Sequence, residues 1–404
     1  MHSLRSSLAM RRGAGAAVRR QGTAAGRAVL SRDDPGCDAL NNVPPHVAAR
    51  VGAQLHHAER HPLGMIKRVI EGHFAREGGE LEGAPTFEFF DDFSPVVTTQ
   101  QCFDDLLVPA DHVSRSRNDT FYVDAERCLR THTSAHQCEL IRAGRDAFLC
   151  TGDVYRKDTV DASHAPVFHQ MEGVRIFSND VARDVVERDL KRALEGTVRA
   201  LFGELTPSEM RWNTDYFPFT DPSFELEIFY EGEWLEVLGC GVVEQDILER
   251  CGRPDAVGWA FGLGLERLAM VRFGIPDIRL FWSTDPRFLG QFDIDSAPGD
   301  EVPALTFAPF SKYPPCFKDV SFWIGDDAAF HENQVHEVVL SSAGEMIETV
   351  DLIDEFVHPK SGRRSQCYRL TYRSMERSLV NEEVDAMQEN VRADLVDKLA
   401  VELR

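Results

Sequence analysis

The chain has 404 residues, with 66 acidic against 44 basic side chains and an apolar fraction of 43%. That length accommodates two or three domains with a sizeable core, and the sequence has no run of 18 apolar residues to cross a bilayer, so no membrane partner is expected. Nine cysteines without a C-x-x-C pair signal neither a disulfide framework nor a zinc site, and a net charge of −22 argues, on composition alone, against a nucleic-acid partner.

The N-terminus departs from this average. Residues 1–32 hold seven arginines and no Asp or Glu, among much Ala, Gly and Ser. Arg-rich, acid-free and without a long apolar stretch, residues 1–33 read as an organellar transit peptide, for the mitochondrial matrix in preference to the plastid stroma. A linker with Pro35, Gly36, Pro44 and Pro45 follows. Residues 45–295 then read as a strand-rich body interrupted by one strong helix around 180–202, with Val181, Val185, Leu190, Leu194, Val198 and Leu201 on one face. In Ala147–Phe177, two β-rich runs flank the polar loop KDTVDASHAP, as in a long hairpin. Arg156 ends the first run, and Phe168, Gln170 and Glu172 alternate onto one face of the second. An arginine, an aromatic, an amide and a carboxylate make a poor core. They suit a ligand with a phosphate, a flat base and an ammonium group.

Further along, GWAFGLGLERLAM (258–270) reads as an apolar strand turning on glycines into a helix, with Arg267 in the first turn. Gly262 and Gly264 permit close backbone approach, and a cation above such a floor suits polyphosphate. The run lacks the third glycine of a dinucleotide fingerprint. By itself it better suits a glycine-rich strand end whose arginine caps a carboxylate. DSAPGDEVPA (295–304) marks a boundary, and residues 307–404 read strand, helix, two strands, helix, a small α+β unit of ferredoxin-like character. The Lys360, Arg363, Arg364, Arg369, Arg373 and Arg377 stretch supplies it with local basic surface.

The two central segments resemble motifs 2 and 3 of class II aminoacyl-tRNA synthetases, most closely phenylalanyl-tRNA synthetase of the single-chain organellar type. The resemblance continues through 43–70, FSPVVTTQQCFDDLLVPADH (93–112), RTHTSAHQ (130–137), YFPFTDPSFELEI (216–228), WLEVLGCGVVEQ (234–245) and the C-terminal unit opening at SKYPPCFKDVSFWI (311–324). It implies an α+β fold: an antiparallel-sheet catalytic domain followed by a ferredoxin-fold anticodon-binding domain. The implied activity is ATP-dependent activation of L-phenylalanine and its transfer to tRNA(Phe), by a monomer that uses Mg²⁺ with ATP and neither zinc nor an organic cofactor.

Residue by residue, the resemblance places Arg156 on the α-phosphate, and Arg267 on the γ-phosphate end and the adenine, whose other face lies on Phe168. Ser163, His164 and Ala165 border the nucleotide. Ser134, Ala135, His136, Gln137, Gln170 and Glu172 hold the amino-acid head. Phe217, Phe219, Ala260 and Phe261 form the benzyl slot, with Ala260 limiting room at the para position. Glu236 lies on an active-site strand, and Asp221 with Glu236 is the expected Mg²⁺ pair. His132, His136, His164 and His169 have spacings that would permit zinc, but no thiol pattern accompanies them. Cys102 stands where the family usually has asparagine, and Val113 where proline is usual, both in the motif 1 region. Two rival readings are a ligase for another amino acid, which the FPF slot opposes, and a non-catalytic tRNA-binding relative, which the presence of both arginines opposes.

Overall fold

The computed structural model describes residues 31–404 apart from 78–84, 294–301, 303, 310–312, 326–329 and the single positions 179, 204, 231 and 375. Residues 1–30, which form most of the targeting segment, and most of the 295–304 boundary lie outside the described residues. At the end of the segment expected to serve targeting, Ser31 is buried and Arg32 pairs with Glu337 of the C-terminal unit.

After short helical turns at Pro45–Ala48 and Leu55–His57, the first long helix of the body is α1 (Pro62–Arg76), whose start is fixed by Pro62 at its first position and by the His61 ring accepting the Leu63 N–H. Strands β1 (Glu88–Phe90), β2 (Val96–Thr98) and β3 (Arg127–Leu129) and helix α2 (Gln137–Arg142) follow. The long hairpin is β4 (Ala147–Tyr155) and β5 (Val167–Ser178), and the amphipathic helix is α3 (Arg183–Phe202). Next come β6 (Met210–Phe217), β7 (Thr220–Tyr230), β8 (Glu233–Val243), α4 (Gln245–Arg250), β9 (Ala256–Gly264) and α5 (Leu265–Phe273). Seven strands form one sheet in the order β1-β4-β5-β9-β8-β7-β6, antiparallel except where β1 runs parallel to β4.

Alternation gives the sheet two unlike faces. Trp259, Phe261 and Leu263 of β9 enter the main core with Ile66, Phe74, Leu190, Leu194 and Leu268 from the helices behind. The residues between them, Gly258, Ala260, Gly262 and Gly264, turn to the other face. Gly173 exists for the back face: a Cβ there would lie 2.1 Å from the Phe261 ring.

The C-terminal unit is β10 (Cys316–Trp323), α6 (Glu332–Ala343), β11 (Ile347–Val357), β12 (Arg364–Tyr372), α7 (Asn381–Leu399) and β13 (Glu402–Leu403). Its sheet order, β11-β12-β10-β13, with both helices in one core, is the ferredoxin-like arrangement. Its first strand starts at Cys316, and upstream of it Phe307 packs in the body's core, 5.7 Å from Phe288, ring to ring. The expected basic stretch is largely neutralised: Arg363 pairs with Glu402, Arg364 with Glu355, Arg369 with Asp319, Arg373 with Glu348 and Arg377 with Glu383.

The β4–β5 loop ties the two units together. Val160 is buried in the C-terminal core. Its N–H donates to His336 Nδ1 at 3.2 Å and its carbonyl accepts the Val350 N–H at 3.2 Å. Lys157 pairs with Glu337 at 2.6 Å, and Arg279 donates to the carbonyls of Glu345 and Ile347.

Candidate active site

The front face of the sheet floors a cleft of about 600 Å³. Its floor is nearly free of side chains because Gly239, Gly262 and Glu172 lie in register across β8, β9 and β5. A Cβ at Gly262 would meet nothing within 4 Å. The one side chain in that row, Glu172, is 2% exposed, and among the described residues neither carboxylate oxygen has a hydrogen-bond partner. Burial pushes its pKa up to about 8, an effect only partly offset by the Ser134 hydroxyl, which stands nearby but outside hydrogen-bonding geometry.

The apolar wall comes from the β6–β7 turn. Phe217 ends β6 and Phe219 lies in the turn, so the two do not alternate along one strand; their rings stack 5.8 Å apart at 7°. Gly239 of LGCG makes this possible, since a Cβ there would come within 2.7 Å of the Phe217 ring. Ala260 lines the cleft beside them. Phe261 is a correction: its backbone borders the cleft, but its ring lies on the back face, stacked 5.4 Å from Phe74.

On the opposite side, Thr133–His136 form a short 3₁₀ turn, in which residues three apart share a face. Ser134 and Gln137 therefore line the cleft, whereas Ala135 is packed among Val97, Phe103 and Cys128. His136 also turns away, its Nε2 2.8 Å from Arg130 and its Nδ1 2.6 Å from Glu139. Arg130 in turn bonds Asp153 at 2.9 Å, within a buried network under the site. His132 lines the cleft instead, with its pKa lowered to about 3 by burial and then by Arg156, so it is a neutral imidazole. Cys102 of motif 1 is buried 3.4 Å from the Thr131 hydroxyl, and Val113 is 66% exposed.

Arg156 is aimed by Nε donation to the Thr131 carbonyl at 2.8 Å, and its guanidinium stands 5.2 Å from the Phe168 ring centroid. Arg267, in the first turn of α5, reaches Glu236 at 3.2 Å with about half its side chain exposed. Asp221 is not brought to the cleft; it is exposed at the start of β7, and its carbonyl is taken by Arg183. Glu225 stands in its place, lining the cleft with Glu236, its pKa raised by burial and then by the Glu236 charge. The β7–β8 hairpin brings these two together, with Glu236 opposite Glu227 and Glu225 opposite Gly239. Ser163 and His164 hydrogen-bond Asp161 on the outer loop, and His164 and Ala165 border a second cavity, of about 520 Å³, between the body and the C-terminal unit. His169 lies under the sheet, paired with Glu266. The four histidines thus have four separate surroundings, and the described residues hold no group of three or more His, Cys, Asp and Glu placed for a metal.

Residues 49–292 match the family described as the tRNA synthetase class II core domain (F), and residues 311–404 match the ferredoxin-fold anticodon-binding domain. The chain is 54% identical over 383 residues to the chloroplastic/mitochondrial phenylalanine–tRNA ligase of Arabidopsis thaliana, covering 93% of this chain and 85% of the relative. The chain belongs to the class II phenylalanine–tRNA ligases. The mitochondrial phenylalanine–tRNA ligase of Dictyostelium discoideum is 45% identical, over 90% of this chain and 89% of its own. That of Mus musculus is 46% identical, over 91% and 86%. Among phenylalanine–tRNA ligases, this chain thus groups with organellar relatives that it covers nearly end to end. No helix among the described residues is long and apolar enough to cross a membrane.

Proposed function

We propose that the cleft binds L-phenylalanine with its ring against the Phe217–Phe219 stack and its ammonium on Glu172, joins it to AMP from ATP, and passes it to tRNA(Phe) for organellar translation. The observation that carries this reading is a buried carboxylate without a partner, set at the floor of a cleft whose wall is a pair of phenylalanine rings. Burying a carboxylate unpaired is costly, and an ammonium supplied by the ligand removes that cost. A benzyl group meets the rings, while Ala260 leaves no partner for a para hydroxyl.

Activation joins two anions, so the work is neutralisation and alignment rather than proton transfer. Arg156 takes the α-phosphate, where charge develops on the in-line attack by the carboxylate. Arg267 takes the far phosphates and leaves Glu236 on doing so. The substrate is ATP with Mg²⁺, and Glu225 and Glu236 are the carboxylates placed to meet that ion; their mutual repulsion fits a site completed by a cation. Gln170, Ser134 and Gln137 are left for the amino-acid head. The C-terminal unit contacts tRNA, and its paired arginines exchange carboxylates for phosphates on binding. The protein acts as a monomer.

The test is pyrophosphate exchange across the amino acids. Exchange that depends on phenylalanine, and that falls about 10²–10³-fold in Arg267→Ala as expected for loss of one such contact, supports the reading. Exchange driven equally by another amino acid refutes it.

A further inference from the structure

We infer that His169 and Glu266 form a positioning pair that fixes Arg267 relative to Phe168, and so sets the nucleotide gap; this rests on the nucleotide reading above. Strand β5 outruns its neighbour here. Its pairing with β9 ends at Gln170 opposite Gly264, whereas its pairing with β4 continues to Val167. On the β9 side the His169 N–H therefore has no strand to donate to, at the point where β9 gives way to α5. Glu266, the second residue of α5, takes the vacant rung. Its Oε2 accepts the His169 N–H at 2.8 Å, and its Oε1 accepts from His169 Nδ1 at 2.7 Å.

Both side chains are almost wholly buried, and His169 Nε2 has no partner among the described residues. The ring thus presents its Nδ1–H to the carboxylate. The flanking residues face the other way. Phe168 and Gln170 alternate onto the cleft side, and Arg267 follows Glu266 out to the cleft rim. The bidentate grip therefore staples the two ligand-bearing segments through the residues between them, at a place where the sheet itself no longer does so. Rotamer freedom in Arg267 remains, but its Cα is held to one position against the motif 2 strand. Glu172 lies three residues further along β5, where strand pairing to Gly262 already holds it, and the Phe217–Phe219 wall is carried by β6 and its turn.

The pair predicts a split in KM. In pyrophosphate exchange, Glu266→Gln and His169→Phe should each raise KM for ATP about tenfold, the cost of one charge-assisted hydrogen bond. KM for phenylalanine should stay within threefold. His169→Asn, which keeps a donor near the Nδ1 position, should recover most of the ATP affinity. The double variant should be no worse than the weaker single one. Assays run at least 15 °C below each variant's Tm, and an isothermal titration with a non-hydrolysable ATP analogue reads the same loss without turnover. Equal rises in both KM values, or ATP binding unchanged in folded Glu266→Gln and His169→Phe, overturn the proposal. Arg267→Ala separates the two levels: if it leaves ATP binding intact, the nucleotide reading falls; if it abolishes binding while the pair variants change nothing, only the positioning role falls.

Discussion

Glu172 makes amino-acid binding a proton-release reaction. With a pKa of about 8 in the empty cleft, the side chain is about nine-tenths protonated at pH 7, since one pH unit is a tenfold ratio, or about 1.4 kcal/mol. A bound ammonium favours the carboxylate, so phenylalanine should expel close to one proton at pH 7. If the bound pKa falls below 5, affinity should rise about 50-fold from pH 6 to pH 8 and then level off. Titration calorimetry at pH 7 in buffers of different ionisation enthalpy counts that proton directly. Stability carries the same signature with its own sign. The folded pKa lies above the usual carboxylate value near 4.3, so folding takes up a proton in between, and the empty enzyme should lose stability as pH rises from about 5 to about 8. Glu172→Gln should bind phenylalanine weakly, release no proton and show a flatter pH profile of Tm. Proton release that persists in Glu172→Gln, or affinity independent of pH in the parent protein, would refute the reasoning.

Three other expectations follow from the geometry. Gly262→Ala places a methyl in open cleft space, so Tm should hold while phenylalanine activation drops at least 100-fold, whereas Gly173→Ala meets the Phe261 ring and should cost about 1–3 kcal/mol in urea unfolding, as overpacking does. Ala260→Gly should admit para-chlorophenylalanine with little loss for phenylalanine, checked by exchange with the two amino acids. A reporter fused to residues 1–30 should enter mitochondria and remain cytosolic when Arg5, Arg11, Arg12, Arg19 and Arg20 become Gln, as fluorescence imaging would show, because the import field acts on those charges.

What the sequence conveyed depended on periodicity. The hairpin bearing Arg156 and Glu172 was legible because polar and aromatic residues alternate, and α3 because its apolar residues recur at helical spacing. Errors arose where a contiguous run was read as one surface. TSAHQ is a 3₁₀ turn running into a helix, which presents Thr133, Ser134 and Gln137 to the cleft but turns Ala135 and His136 away, and AF in the glycine-rich strand splits between faces, so Ala260 reaches the slot while the Phe261 ring cannot. Glu225 was missed because its partnership with Glu236 is made by strand pairing, not spacing. Asp221 is a Mg²⁺ candidate by resemblance alone, and the chain at the start of β7 turns it outward. Phe307 escaped notice as a body residue because one aromatic in a connector carries no period at all.

Val160 has a consequence for how the protein comes apart. It belongs to the body by sequence and to the C-terminal core by packing, and both its backbone groups are bonded there. Melting the C-terminal unit strands the Val160 side chain and both its main-chain groups, and melting the body leaves the His336 ring nitrogen and the Val350 N–H without their partner. The stabilities of the two folds are therefore coupled through this loop and the Arg32 and Arg279 contacts beside it, and on heating the two units should unfold together rather than at separate temperatures.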